Sequence, residues 1–311
     1  MNIEELRRKS LEQFSELRKK ALNEAYLNAP IRNAAGASSS GSTQAEPEPP
    51  LPTEPNFDIS ATNWEYWNVV DEASFITFLE SGGGDGGREK NSFTDISVTD
   101  FTFVDNRIRC NLTATTDGVF YLNDLGITVA LKLGNTLFSG LILTDNNITD
   151  FNIQLPISCL QLNLSNNDII TFDPTIPLPG DLESLNLSRN QITEFNPSLP
   201  LPGTLNVLFL NNNLITEFDP DLPLPSGLVS FSIANNDLTF FNPTQWPNSV
   251  RTIDFSKNNM TLAGYTASEP WANGLSTVPP GSNITFSLNA DSVSGTPLAT
   301  ILASKGYTIT L

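Results

Sequence analysis

One pattern of eight residues recurs six times in this chain, and its period restricts the fold more than any other feature. The segments are LILTDNNI (141–148), LNLSNNDI (162–169), LNLSRNQI (185–192), LFLNNNLI (208–215), FSIANNDL (231–238) and IDFSKNNM (253–260). Each has apolar residues at its first, third and eighth positions and Asn at its sixth. The Asn residues are spaced by 21, 23, 23, 23 and 22 residues: Asn146, Asn167, Asn190, Asn213, Asn236 and Asn258. A fixed period of this kind predicts a stack of equivalent structural units.

The residues inside one unit predict its local structure. Alternating apolar and polar residues indicate a short strand with one face buried. The Asn that follows can turn the chain and hydrogen-bond the backbone of the next unit, so stacked copies would form a ladder. A Phe stands three residues after each of the first five units, at Phe151, Phe172, Phe195, Phe218 and Phe241. These five of the 19 Phe residues predict a continuous aromatic stack in the core.

This pattern resembles the leucine-rich-repeat family, whose unit of about 20–29 residues carries the motif LxxLxLxxNxL. The resemblance covers residues 138–260 and implies a mainly β fold, a parallel-β solenoid. Proline-containing return segments such as LPLPGTL (199–205) disfavour a helix, so the convex side should be extended or 3₁₀. The family implies a binding role, and the repeats by themselves name no ligand.

The flanking segments predict caps for the two ends of the solenoid. Residues 58–137 form a β-rich N-terminal cap region, with a short strand and helix in 64–80 and a hairpin at Asp105-Asn106. Strands are also expected around Phe120 and in 127–133. Residues 261–311 predict an insertion followed by a C-terminal βαβ cap. In that cap, the repeat pattern is matched by Phe286, Leu288, Asp291 and Val293, and a helix begins after Thr296.

The first 57 residues have a different composition from the rest. Residues 1–32 predict a helix with an apolar stripe and seven Lys/Arg against five Asp/Glu. Residues 33–57 are a linker, rich first in Ala and Ser and then in Pro and Glu. The helix either docks on its own domain or, as we favour, anchors the chain to a protein partner. The anchor residues are Ile3, Leu6, Leu11, Phe14, Leu17 and Leu22.

Composition excludes several classes of function. The chain has no His, which removes the usual general base and His-ligated zinc, and we expect no metal, no cofactor and no enzyme activity. Residues 33–311 carry a net charge of -20 (nine Lys/Arg, 29 Asp/Glu), so nucleic-acid binding is not expected. Neither a signal peptide nor a membrane-spanning run is predicted. Two carboxylate pairs, Glu194 with Glu217 and Asp173 with Asp219, leave a glycoside hydrolase as an unfavoured alternative.

The repeat register predicts which side chains line the concave face. The candidate binding residues are Asn163, Asn186, Phe209, Asn211, Ser232 and Asp254, with Phe209 as an exposed aromatic anchor for a protein or glycan ligand. A helix, a spacer and a rigid module resemble the layout of a bacteriophage virion decoration, fibre or tail-associated protein. That layout predicts a structural or adhesive protein located in a virion, or otherwise in the cytoplasm. The alternative is a bacterial leucine-rich-repeat effector or surface protein that binds a host protein.

Overall fold

The structure is a computed structural model that describes residues 55–62, 64, 69–81, 91, 93–116, 118–122, 125–133 and 135–311. The predicted anchor helix of residues 1–32 and nearly all of the 33–57 linker lie outside the described residues. The domain boundaries inferred from the sequence therefore stay predictions.

An antiparallel sheet with one helix precedes the repeats. Its strands are β1 (Phe57–Ala61), β2 (Thr94–Val104), β3 (Arg107–Thr115) and β5 (Ile127–Leu133), in the order β2-β3-β1-β5, and β6 (Asn135–Leu137) pairs with β3. Helix α1 (Glu72–Ser81) contributes Phe75 and Phe78 to the same core as Trp64. The predicted hairpin is present, because Asp105 and Asn106 both adopt positive φ between β2 and β3.

The helix predicted within residues 64–80 is present. The strand predicted before it falls mostly on residues 65–68, which lie outside the described residues. Strand β1, which the sequence did not predict, begins at Phe57, the last residue assigned to the linker. Asp58 on β1 is almost fully buried, and Arg107 holds it through two hydrogen bonds of 2.6 and 2.8 Å. A central strand with a buried Asp departs from the plain apolar alternation that marks strands in a sequence.

The repeats form a nine-stranded parallel sheet in the order β14-β13-β12-β11-β10-β9-β8-β7-β4. Its strands are β4 (Val119–Tyr121), β7 (Gly140–Ile142), β8 (Gln161–Asn163), β9 (Ser184–Asn186), β10 (Val207–Phe209), β11 (Ser230–Ser232), β12 (Thr252–Asp254), β13 (Asn283–Thr285) and β14 (Thr308–Thr310). Leu141, Leu162 and Leu185 pair in register, as the sequence alignment of the repeats predicts. Asn91 closes the β4 edge, since its side chain bonds both the N–H and the C=O of Tyr121.

A stack of Phe rings fills the core beneath these strands. The rings of Phe151, Phe172, Phe195, Phe218 and Phe241 follow one another with centroids 5.7–6.4 Å apart and interplanar angles of 6–21°. All five are buried. Offset stacking at this spacing adds to the gain from burying the rings, so the predicted aromatic stack is present.

The Asn ladder joins each repeat to the one before it. In the central repeats Asn213 Oδ1 accepts from Ile192 N at 3.0 Å, while its Nδ2 donates to Leu187 O at 3.0 Å and Leu210 O at 2.9 Å. The same contacts recur along the stack at Asn167, Asn190, Asn236 and Asn258. Buried backbone groups that no strand pairs are thereby satisfied.

The convex segments are extended and contain one tight turn per repeat. The turns are closed by Leu182 N to Pro179 O, Leu205 N to Pro202 O and Leu228 N to Pro225 O, at 3.0–3.1 Å. No 3₁₀ helix occurs in the described return segments 173–183, 196–206 and 219–229. Proline removes one backbone donor and fixes φ, which suits a single turn better than a continuing helix.

The C-terminal end contains the predicted βαβ unit, but in a different register. Ile284 pairs with Ile253, and Asn289 donates to Phe255 O and Phe286 O, so Asn289 holds the ladder position instead of Asp291. Leu288, assigned to the core from the sequence, is 74% exposed. Helix α2 (Leu262–Gly274) occupies the insertion, and α3 (Pro297–Ser304), capped by Thr296 as predicted, leads to β14.

Candidate functional site

The concave face presents the outward residues of the solenoid strands in straight columns. Register places Asn186, Phe209, Ser232 and Asp254 in one column, with adjacent strands about 4.8 Å apart. A groove of about 550 Å³ runs along repeats three to six. Five of the six predicted binding residues line it, namely Asn186, Phe209, Asn211, Ser232 and Asp254. Asn163 belongs to the same column but lies one repeat outside the groove.

Phe209 lines the middle of this groove, together with the buried Phe231. Phe209 is half-buried rather than fully exposed, which corrects the sequence interpretation. The next residue in the column is the small Ser232. Ala234, two residues after Ser232 on the same repeat, also lines the groove and is small. Because Phe209 is partly buried and lines the groove, its ring has little freedom to lose and can contact an apolar group at a low entropic cost.

The polar side chains of the column shape the end of each strand. Asn186 Oδ1 accepts from Ser188 N at 3.0 Å, and Asp254 Oδ1 accepts from Ser256 N at 2.9 Å. Asn163 makes the same contact with Ser165. These short bonds leave the amide nitrogens of Asn163 and Asn186 without a partner among the described residues. The face can therefore donate hydrogen bonds to a ligand without losing its own turn geometry.

A further column forms the rim of the groove and was not identified from the sequence. Its residues all have φ between 53° and 59°: Asp145, Asn166, Arg189, Asn212, Asn235, Lys257 and Leu288. Asn and Asp tolerate this left-handed conformation, and Asn235 Nδ2 donates to Asn212 Oδ1 at 2.9 Å within the column. Arg189 and Lys257 are exposed there, and their position next to the ladder Asn is the sequence signal for this column.

The two carboxylate pairs inferred from the sequence lie in different surroundings. Asp173 and Asp219 occupy equivalent positions two repeats apart, with Asn196 between them. Each accepts hydrogen bonds from the next repeat, Asp173 from Ser198 and Asp219 from Thr244, at 2.7–2.9 Å. They belong to a second ladder on the return side. Glu194 and Glu217 do line one cavity of about 440 Å³, together with Asp219.

Three buried side chains have a pKa raised to about 12, and none of the three lines the groove. Burial raises the pKa of Cys110 and of Cys159 to about 12, so both thiols stay protonated. Burial also raises the pKa of Tyr265 to about 12, and its hydroxyl donates to Asp291 O at 2.7 Å. Among the described residues, no group of three or more His, Cys, Asp and Glu could hold a metal ion. None of the helices in these residues is long and apolar enough to cross a membrane.

Comparisons with known proteins add structural neighbours but no sequence relatives. No protein-family model matches the chain, and no curated protein sequence matches it. Among solved structures, YopM, a leucine-rich effector protein from Yersinia pestis, is 25% identical with a TM-score of 0.33, over 46% of this chain and 43% of that one. A Shigella effector leucine-rich-repeat domain is 23% identical with a TM-score of 0.40, over 62% and 81% of the two chains.

YopM from Yersinia enterocolitica WA-314 is 21% identical with a TM-score of 0.35, over 55% of this chain and 38% of that one. The match thus spans less than half the length of either Yersinia protein. None of the three supports the prediction of a phage virion protein. The fold assignment rests on this chain's own geometry, because parallel register and the Asn ladder recur from repeat to repeat. Residues 119–310 form a β-rich solenoid of the leucine-rich-repeat type.

Proposed function

We propose that this chain is a protein-binding module whose ligand lies in the concave groove, and that it binds rather than catalyses. The proposal corresponds to the alternative reading of the sequence, a leucine-rich-repeat protein that binds another protein, and replaces the virion assignment. One observation carries it, the half-buried Phe209 centred in a groove of about 550 Å³. An aromatic anchor surrounded by small polar side chains is typical of protein-binding surfaces.

The groove also has the polar groups that a peptide main chain requires. Ser188, Asn211 and Ser232 line it, and Asn186 keeps a free amide. Extended peptides present alternating N–H and C=O groups, which such neutral donors and acceptors can satisfy without buried charge. Only Asp254 and Lys257 bring charge to the groove, both at one end of it. The site therefore favours a protein segment over a multiply charged small molecule.

The test blocks the groove in the full chain. Peptides selected from a random display library on the purified protein are measured by biolayer interferometry against Ser232→Trp and against Ser226→Trp. Ser232 lines the groove, whereas Ser226 is exposed on the convex side and serves as the matched control. We expect affinity to fall at least tenfold with Ser232→Trp and to stay within twofold with Ser226→Trp, with unchanged circular dichroism.

Two results would contradict the proposal. Selected peptides that bind the Ser232→Trp variant as tightly as the parent would place the ligand surface elsewhere. A library that yields no peptide, combined with groove-dependent binding to an array of glycans, would show that the ligand is a carbohydrate.

A further inference from the structure

Two cations on the groove rim have no structural task among the described residues. Four Lys/Arg residues occur in residues 138–311, against 14 Asp/Glu. Arg251 donates to Asn248 O at 2.8 Å, and Lys305 donates to Asn273 O at 2.9 Å and to Leu275 O. The side chains of Arg189 and Lys257 make no hydrogen bond or ion pair with any described residue. Lys257 lines the candidate groove, and Arg189 stands in the same left-handed column next to Asn212, which also lines it.

The backbone at these two positions disfavours the residues that occupy it. Arg189 has φ 57° and Lys257 has φ 55°, in the left-handed region where side chains other than Asn, Asp and Gly are strained. The equivalent residues of four other repeats are Asp or Asn, which fit that conformation, and Leu288 holds the position in the terminal repeat. Strained residues that the fold does not require are found preferentially at ligand sites. Stability alone would select Asn at both positions.

The two cations are separated by a distance that a short peptide can span. Arg189 and Lys257 lie three repeats apart in the rim column, which is about 14 Å at a strand spacing of about 4.8 Å. Phe209 belongs to the repeat next to that of Arg189, between the two cations along the solenoid. An extended chain advances about 3.4 Å per residue, so residues four apart in a peptide cover this span.

We propose that Arg189 and Lys257 bind two carboxylates of an acidic protein segment lying along the concave face, with an apolar side chain between them on Phe209. This inference rests on the proposed function and names its partner. The segment has the form acidic-x-apolar-x-acidic. Each cation supplies a charge-assisted hydrogen bond to a carboxylate, and Arg189 can do so in a bidentate manner.

The surrounding charge decides which anion is accepted. Residues 138–311 as a whole are acidic, with ten more Asp/Glu than Lys/Arg (14 against four). A nucleic acid or other long polyanion would extend past the two cations over this acidic surface and be repelled. A short acidic segment ends within the groove. Asp254 also lines the Lys257 end and opposes the second carboxylate, which limits how much negative charge that end accepts.

The experiment measures binding of synthetic peptides to the full chain by isothermal titration calorimetry. The probe is the acetylated peptide GESFSEG, and GQSFSQG is its neutral counterpart. The protein variant is Arg189→Asn with Lys257→Asn, because Asn suits the left-handed backbone and should leave thermal stability unchanged or raised. The matched control is Ser226→Asp with Asn248→Asp, which lowers the net charge by the same two units on the convex side.

We expect the parent to bind GESFSEG at least tenfold more tightly than GQSFSQG. The Arg189→Asn, Lys257→Asn variant should lose that preference, whereas the convex control should keep it within twofold and Asp254→Asn should strengthen it. Equal affinity for the two peptides, no binding of GESFSEG at millimolar concentration, or an unaffected double variant would each overturn the inference. If peptides selected from the library depend on Ser232 but not on Arg189 and Lys257, the groove stands as the ligand site and the acidic partner does not.

Discussion

The Asn ladder gives the sharpest quantitative prediction, for the substitution Asn213→Ala. The side chain is 6% exposed and makes three hydrogen bonds of 2.9–3.0 Å to backbone groups. Its two acceptors keep a second bond, since Leu187 O also accepts from Asn190 and Leu210 O from Asn236. Ile192 N–H has no other acceptor among the described residues and would be left unpaired inside the solenoid.

The expected loss of stability follows from these hydrogen bonds. An unpaired buried donor costs about 1–3 kcal/mol, and two weakened carbonyl sites add about 0.5 kcal/mol each, so Asn213→Ala should cost about 2–4 kcal/mol. For a folded unit of this size, 3 kcal/mol lowers the Tm by about 6–12 °C. The assay is thermal unfolding followed by circular dichroism, together with urea unfolding to obtain the free energy directly.

Two matched substitutions test whether the ladder hydrogen bonds cause this loss of stability. Asn289→Ala removes a half-buried ladder Asn whose Oδ1 accepts no hydrogen bond, so it should cost less than Asn213→Ala. Asn211→Ala removes a groove residue outside the ladder and should be nearly neutral. A Tm for Asn213→Ala within 1 °C of the parent, which corresponds to about 0.3 kcal/mol, would contradict a stabilising role of the ladder. An equal loss of stability in Asn289→Ala would contradict it as well.

Three other predictions follow from the caps, the thiols and the N-terminal segment. Deleting 297–311 removes α3 and β14, exposes core side chains and should cause aggregation, measured by light scattering; a soluble truncation with unchanged cooperativity would contradict it. Cys110 and Cys159, with pKa raised to about 12, should resist a thiol reagent at pH 8 until urea unfolds the chain. Rapid labelling of the folded protein would refute their burial. Because the thiols of the unfolded chain ionise first, the stability contributed by the two buried thiols is present below the ordinary thiol pKa and falls as pH rises above it. We also propose that residues 1–32 bind a protein partner, so Leu11→Asp with Phe14→Asp should abolish co-sedimentation with that partner while circular dichroism stays unchanged; retained association would remove the anchor role.

The sequence alone predicts the repeats because each unit is specified locally. Alternation of apolar residues sets which strand face is buried, and an Asn at a fixed offset sets the turn, so Leu162, Asn167 and Phe172 could be assigned without tertiary information. The cap helix after Thr296 was predictable for the same reason, since an N-cap Thr followed by Pro marks a helix start within a few residues.

Only the tertiary structure determines the register of the last repeat, which follows an insertion. Shifting the last repeat by two residues keeps every apolar residue on the same strand face, so alternation cannot distinguish Ile284 from Phe286 as the first core position. In the structure Ile284 pairs with Ile253, so Asn289 takes the ladder position. Helix α2 in the insertion packs closely on the preceding repeat, since a Cβ on Gly264 would stand 1.9 Å from Thr239 O.

Part of the candidate site could be predicted from the sequence, and part required the tertiary structure. The column containing Asn186, Phe209 and Asp254 follows from strand alternation, and the sequence predicts it. Two features depend on backbone dihedrals and on neighbours from other repeats. Phe209 is half-buried, and Arg189 and Lys257 stand in a left-handed column with no side-chain partner in the part of the chain that the structure describes. A strand face is a local property of the chain, whereas exposure and charge environment are properties of the assembled solenoid.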